Sequence, residues 1–290
     1  MTPHTAVGIA QVAVYTPVTL YAQYIGIRCW KYGSRMACYM VMAFTLIRLA
    51  GGALLITVEK DLSSDNAEMI KVTYILLNLG IVPLLASFDG FLGLVFREDY
   101  PNNTALRLIH YICASLIILA TALLITAGTM TGKIDQASLQ GILYKIGYFD
   151  FLAVFLVVVL LSLWIFLTQH DSVKSTHFQI IIWLLLSSPF LAVRAAYGTI
   201  GIFEATGPRM FTSMWSSLFG SATALSLMAL LPEFIVICIY IHILRSRVKA
   251  CKHASRHSDS SNGDLIENGN ELDSRRKHRR RHSSKHRRRH

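Results

Sequence analysis

The sequence predicts an all-α, seven-transmembrane-helix bundle with its N-terminus outside and a polar C-terminal tail in the cytosol. Three observations carry that expectation: seven long apolar segments, connections too short to hold a domain, and a basic tail that weights Lys and Arg to one side. A hydrocarbon core about 30 Å thick takes roughly 20 helical residues at about 1.5 Å each, and every one of the seven segments is long enough. Only 16% of the 290 residues are charged, and the mean hydropathy is +0.45. A soluble chain of this size has no need of such runs.

In chain order the predicted spans are 6–27, 36–58, 70–96, 105–127, 144–168, 178–202 and 217–244. The first follows a flank, Met1 to Thr5, without Lys or Arg. It lacks the basic start of a cleavable signal and is expected to stay as an anchor. The second carries Arg48, the third Pro83 and Asp89, and the fourth His110. The fifth holds Asp150 followed by the apolar run from Phe151 to Leu167. The sixth holds Arg194, and the seventh holds Pro232 and Glu233 before the run from Phe234 to Leu244.

Orientation follows from charge. One side carries Arg28, Lys31, Arg35, Arg97, Lys174 and the basic tail, and the other carries Lys60, Lys71, Lys133, Lys145 and Arg209. The first side is expected to face the cytosol. The sequon Asn102-Asn103-Thr104 then lies in a cytosolic loop, out of reach of glycosylation. Cys29, Cys38, Cys113, Cys238 and Cys251 fall in spans or at their cytosolic ends and form no disulfide framework. Small apolar filling is the expected role, with palmitoylation of Cys29 or Cys251 as the alternative.

The net charge of +11 invites a nucleic-acid reading until its position is considered: 15 of the 28 Lys and Arg follow Leu244, against 5 of the 17 acidic residues. The stretch from residue 245 to 290 is too polar to bury a core and is predicted to be disordered. It ends in four similar tetrapeptides, built from Arg275, Arg276 and Lys277, then Arg279, Arg280 and Arg281, then Lys285, then Arg287, Arg288 and Arg289, each closed by a His. Attraction to anionic lipid head groups is the expected use, worth about 1 kcal/mol per basic residue near the surface. Metal binding by the repeated His is a weaker reading, because low complexity alone produces the spacing. No aromatic residue interleaves the arginines for base stacking, so no nucleic-acid partner is expected. Arg280-Arg281-His282-Ser283 fits a basophilic kinase, and phosphorylation at Ser283 would subtract up to about two charges. Mass spectrometry of wild type against Ser283→Ala tests that hypothesis.

Charged side chains near mid-membrane are the candidates for function, since each costs a few kcal/mol unless paired or hydrated. Counted from the outer ends at about 1.5 Å per residue, Arg48, Arg194 and Glu233 fall at similar depth. Asp150 lies shallower, within range of Arg194, and Asp89 lies deeper, where Arg97 or His110 is its expected partner. These five form the candidate ligand or ion-pair site. A purely structural network of buried ion pairs is the alternative. Tyr15, Thr16 and Pro17 are candidate cavity-lining residues. Asn78 and Ser87 are candidates for bonds between helices, and Gly51, Gly52, Gly90, Gly93, Gly198 and Gly201 permit close packing.

A weak internal symmetry sharpens this reading. Ile47-Arg48-Leu49-Ala50-Gly51-Gly52 resembles Val193-Arg194-Ala195-Ala196-Tyr197-Gly198, and the span after each has a central proline, Pro83 or Pro232. Spans one to three and five to seven would then be parallel repeats with the fourth as linker, the arrangement of SWEET transporters. Each proline frees a carbonyl four residues earlier, which makes Pro83 and Pro232 candidate hinges.

Arg48-Leu-Ala-Gly-Gly, Asn78-Leu-Gly-Ile-Val-Pro-Leu-Leu and Leu231-Pro232-Glu233-Phe234-Ile235 resemble a group of fungal seven-helix membrane proteins that share a domain of unknown function. The resemblance covers roughly Thr2 to Leu244 and implies a fold without implying a reaction. A more distant likeness, to fungal lipid-translocating exporters, rests on the fold alone. A divergent receptor is the rival class. Phe96-Arg97-Glu98-Asp99-Tyr100 scrambles the Asp-Arg-Tyr order of common receptors, however, and the seventh span lacks both Asn-Pro-x-x-Tyr and a Lys for retinal. No metal or hydrolase signature stands in a span, so the chain reads as a non-enzyme without cofactor. It is expected to bind or transport a small amphipathic or anionic molecule in the plasma membrane or an endomembrane.

Overall fold

The computed structural model describes residues 3–30, 35–60, 67–130, 134–168, 175–204, 213–216, 218 and 220–250. The basic tail with Ser283, Cys251, and Lys31, Lys133, Lys174 and Arg209 lie outside the described residues. The main body is Met1–Ser246, and Arg247–His290 forms a second unit whose described residues, 247–250, continue the last helix.

All regular structure among the described residues is helical, and seven helices are long and apolar enough to cross a membrane. We number the elements α1 (Pro3–Cys29), α2 (Arg35–Lys60), α3 (Ala67–Leu79), α4 (Ile81–Asp99), α5 (Thr104–Thr129), α6 (Ala137–Thr168), α7 (Ser175–Glu204) and α8 (Ala222–Ala250). α3 and α4 are two halves of one span, Glu68–Asp99.

Three ends differ most from the sequence expectation, and one of them is the end of α8, which runs on to Ala250 past residue 244, so residues 245–250 are helical where disorder was expected. α6 begins at Ala137 rather than at residue 144, because Gln140 and its neighbours carry the helix past the apolar run. α8 begins at Ala222 rather than at residue 217, where the Ser221 hydroxyl accepts from the Ala224 N–H at 3.4 Å and caps the chain. Hydropathy marks the greasy part of a helix and is blind to caps. The asparagine cap of α5 does the same work: the Asn103 side chain accepts from Leu106 N–H at 3.3 Å.

α4 is the axis of the bundle. Every residue from Ile81 to Leu92 is buried, and it packs against α2, α5, α6 and α7. In the third span 89% of the membrane-length window is buried, against 22% for α5. α5 and α6 instead present Leu108, Ile118, Leu160 and Leu167 outward, the apolar surface expected against lipid. α1 lies along α2 through a face of Gly8, Gln11, Tyr15, Thr19 and Ala22, spaced at three and four residues.

The prolines interrupt two helices where the expectation placed hinges. Pro83 lacks an N–H for the Leu79 carbonyl, and the helix breaks between α3 and α4 at Gly80. In α8 the turn ahead of Pro232 is a π-helix, Leu225–Leu230, with the Leu231 N–H reaching back to the Ser226 carbonyl. Thr16 and Pro17, expected to line a cavity, are exposed on the outer face of α1, where the Thr16 hydroxyl returns to the Val12 carbonyl at 2.7 Å. A helix turns 100° per residue, so a run of neighbours cannot share one cavity.

Candidate functional site

The charges gather beside the break in the third span. α2 brings Arg48, α7 brings Arg194, and α8 brings Glu233 directly after Pro232. All three are buried, at 1%, 1% and 0% exposure. A single carboxylate oxygen, Glu233 Oε1, accepts from both guanidiniums: from Arg48 Nη2, and from Arg194 Nε at 2.5 Å. The equal depth inferred from residue counting becomes direct contact.

The kink at Pro83 supplies the remaining acceptors. The Leu77 carbonyl receives Arg48 Nη1 and Arg194 Nη2, each at 3.3 Å, and the Asn78 carbonyl lies 3.5 Å from Arg194 Nη2. In an unbroken helix those carbonyls would serve the N–H groups of residues 81 and 82. Bonds from a guanidinium are charge-assisted and stronger than neutral ones. Gly80 makes this geometry possible, because a Cβ there would overlap the Arg48 guanidinium. The requirement is for space, as its φ of −58° suits any residue.

Aromatic rings complete the surroundings. The Arg48 guanidinium lies 5.8 Å from the Phe44 ring and that of Arg194 lies 6.0 Å from Tyr197, contacts worth about 2 kcal/mol when desolvated. Tyr15 is buried edge-on against Phe44 and Phe234. A Cβ at Gly198 would meet Tyr148 Cε1 at 2.5 Å and Arg194 Nη1 at 3.1 Å, so this glycine seats the tyrosine ring beside the guanidinium. Gln11 of α1 donates to the Arg48 carbonyl at 2.6 Å and locks the helix that carries it.

Charge in the cluster does not balance, since two guanidiniums stand against one carboxylate. Arg48 Nε, Arg194 Nη1 and Glu233 Oε2 have no hydrogen-bond partner among the described residues. Buried polar groups left in that state are uncommon and costly. An apolar crevice between α4, α6 and α7 runs close by, lined by Ile81, Leu85, Tyr148, Phe151, Phe155 and Leu191. It holds ≈ 10 Å³, about the room of one water.

The other candidates separate from this cluster. Asp150 is half-buried on α6 and makes no ion pair among the described residues, and the carboxylate that Arg194 meets is Glu233. Proximity in depth misleads here because Asp150 and Arg194 also have to face each other across α6 and α7. Asp89 pairs with His110 rather than Arg97, at 3.0 Å between Oδ2 and Nδ1. Ser87 bonds within its own helix to the Pro83 carbonyl, and Asn78 Nδ2 to the Tyr74 carbonyl. Cys29 is fully buried against α2, out of reach of an acyl chain, whereas Cys238 is exposed.

Sequence reasoning missed a third cluster. His177 of α7 places Nδ1 2.7 Å from Asp99 Oδ2 and Nε2 2.9 Å from Glu98 Oε2. Two adjacent acids closing α4 and a lone His opening α7 were its only signal. Gln11 and Tyr148 were equally silent, although the polar stripe of Gly8, Gln11, Tyr15 and Thr19 on α1 pointed to a packed face.

Comparison with curated proteins and with solved structures finds no match for the chain. A family model described as a domain of unknown function, DUF7702, matches residues 1–245, the whole helical body. Its seven apolar helices make this an integral membrane protein by length and composition, and the chain belongs to the DUF7702 family.

Proposed function

We propose that the protein binds a small anionic or amphipathic molecule at the Arg48–Arg194 pair and carries it across the membrane, with Glu233 as the counter-ion that the ligand displaces. One observation carries the reading: two fully buried guanidiniums share a single carboxylate oxygen and keep unused donors. Such a cluster holds one positive charge in excess, and an anion neutralises it better than any group already there. The apolar crevice beside Tyr148 supports the amphipathic half of the reading, since it would take a hydrocarbon portion once α6 and α7 part.

The paired breaks at Pro83 and Pro232 suit a two-state transporter, because each sits where a charged partner is delivered. On this reading the chain is not an enzyme and needs no cofactor, its C-terminus is cytosolic, and its basic tail rests on anionic lipid head groups. It serves the plasma membrane or an endomembrane.

The test is reconstitution into liposomes, with counterflow and equilibrium binding measured across labelled fatty acids, organic anions and lipid head-group analogues. Flux that disappears in Arg194→Ala, at unchanged protein abundance, is the expected result. Saturable binding without flux would make the protein a receptor. Loss of abundance without any ligand effect in the wild type would reduce the cluster to a structural network.

A further inference from the structure

The seam between α6 and α7 holds two cavities that share a wall. The inner one is the crevice beside Tyr148, which reaches Ile81 and Leu85 of α4. The outer one lies between α6 and α7 alone and adds Lys145, Phe149, Ile202 and Phe203. Tyr148, Leu152 and Thr199 line both. Each cavity holds ≈ 10 Å³, so the seam is closed at this wall.

The outer cavity opens on the apolar surface of the bundle. Phe149 and Phe203 are 55% and 49% exposed, with ring centroids 6.0 Å apart. Lys145 is exposed beside them and holds Nζ 5.5 Å from the Phe203 ring. Phe203 stands about 14 Å along α7 from Arg194, at about 1.5 Å per residue. A cation over aromatic rings at that place offers an anionic head its charge and a hydrocarbon chain its apolar surface.

Tyr148 separates this mouth from the interior, and it is 4% exposed. Its hydroxyl oxygen lies 3.0 Å, and Arg194 Nη1 lies 3.1 Å, from the point a Cβ on Gly198 would occupy. Neither atom has a hydrogen-bond partner of proper geometry among the described residues. Thr199, the other polar residue of the shared wall, donates its hydroxyl to the Ala195 carbonyl at 2.9 Å. A buried O–H and a buried N–H therefore converge, unsatisfied, beside an apolar crevice, and an oxyanion with a hydrocarbon tail satisfies both parts.

We propose that the α6–α7 seam is a side entrance from the membrane for a long-chain carboxylate. Lys145 meets the head at the mouth and Tyr148 is the gate. Inside, the Tyr148 hydroxyl and Arg194 Nη1 hold the carboxylate while the chain lies along Leu152 and Phe155. Charge selects the head: two guanidiniums stand against Glu233, and a monoanion cancels the excess where a doubly charged phosphate would overshoot it. Width selects the tail, because a wall formed by Tyr148, Leu152 and Thr199 from two adjacent helices passes a single chain. The assignment rests on the anion reading above and adds the kind of anion, its route and a second donor.

The test is binding to the full-length protein in nanodiscs of neutral phospholipid, with tritiated palmitate against empty nanodiscs and with carbon-13 acetate followed by NMR. Palmitate is expected to bind at least about 100-fold tighter than acetate, through its buried chain. Tyr148→Phe should weaken palmitate about tenfold, the worth of one hydrogen bond to a charged group. Leu152→Trp, which fills the shared wall, should abolish palmitate binding and spare acetate. Acetate bound by wild type and lost in Arg194→Ala, with palmitate no tighter than acetate or indifferent to Tyr148→Phe, overturns the seam and leaves the arginine site standing. Binding of neither carboxylate overturns both. Equal displacement of palmitate by a two-chain anionic phospholipid overturns the single-chain assignment, and association as fast in Lys145→Gln as in wild type removes the lysine from the route. Should Leu152→Trp fail to fold, Tyr148→Phe decides alone.

Discussion

The upper and lower halves of the third span bury charge in opposite ways. At the α3–α4 break two arginines from α2 and α7 converge on Glu233 and on the Leu77 carbonyl in the last turn of α3. Further down, α4 supplies the carboxylates itself, Asp89 and then Glu98 and Asp99, and each meets a histidine from another helix. The upper cluster is built on guanidiniums, which donate from a fixed planar fork and accept nothing, whereas the lower pairs are built on imidazole rings. One helix thus serves an arginine site and histidine sites in series. The choice of cation, more than the choice of carboxylate, decides which is which.

Removing the shared carboxylate is the sharpest way to break that contrast. Glu233→Ala leaves two buried guanidiniums facing each other and is expected to cost about 3–5 kcal/mol, read as a collapse in folded, monodisperse protein after detergent extraction. Unchanged yield would show that the cluster is solvated or differently paired. Gly80→Ala comes next, at about 1–3 kcal/mol, because its Cβ would occupy the place of an Arg48 guanidinium held by two partners. A Tm equal to wild type would mean that the arginine swings away without penalty.

His177→Gln probes the histidine end, with an expected cost of about 1–3 kcal/mol. Only the imidazolium donates from both ring nitrogens, so both contacts, to Asp99 and Glu98, are hydrogen bonds in that form alone. The fall in Tm from wild type to variant is the measurement that checks this cost. Gln11→Leu should cost about 1 kcal/mol through its lost bond to the Arg48 carbonyl. The smallest effect belongs to Gly51→Ala, whose Cβ would find its nearest neighbour at 3.8 Å. It is expected within about 0.5 kcal/mol of wild type, a control for the closely fitted Gly80.

The candidate site is partly legible in the amino-acid sequence. A charged residue stands out in an apolar run, so Arg48, Arg194 and Glu233 announce themselves, and residue counting puts them at one depth. Proline chemistry points to the same level through Pro83 and Pro232. Gly80 is invisible in the sequence because its role is to leave room for a side chain from another helix. His177 escapes notice because it lies at the end of a span, where polar residues are ordinary. Asp150 is misassigned because depth along a helix is readable and facing is not.

What the sequence by itself determined is the number of spans and the presence of charge that has to be neutralised within them. Both follow from local properties: apolar length against bilayer thickness, and the cost of an unpaired ion in hydrocarbon. The tertiary structure alone decided who neutralises whom. Pairing depends on the rotation of each helix about its axis and on which helix becomes central, and those are set jointly by all the packed faces. α4 occupies the axis, with every residue from Ile81 to Leu92 buried. From that one placement follow the meeting of Arg48 with Glu233, of Asp89 with His110, and of His177 with the acids that close α4.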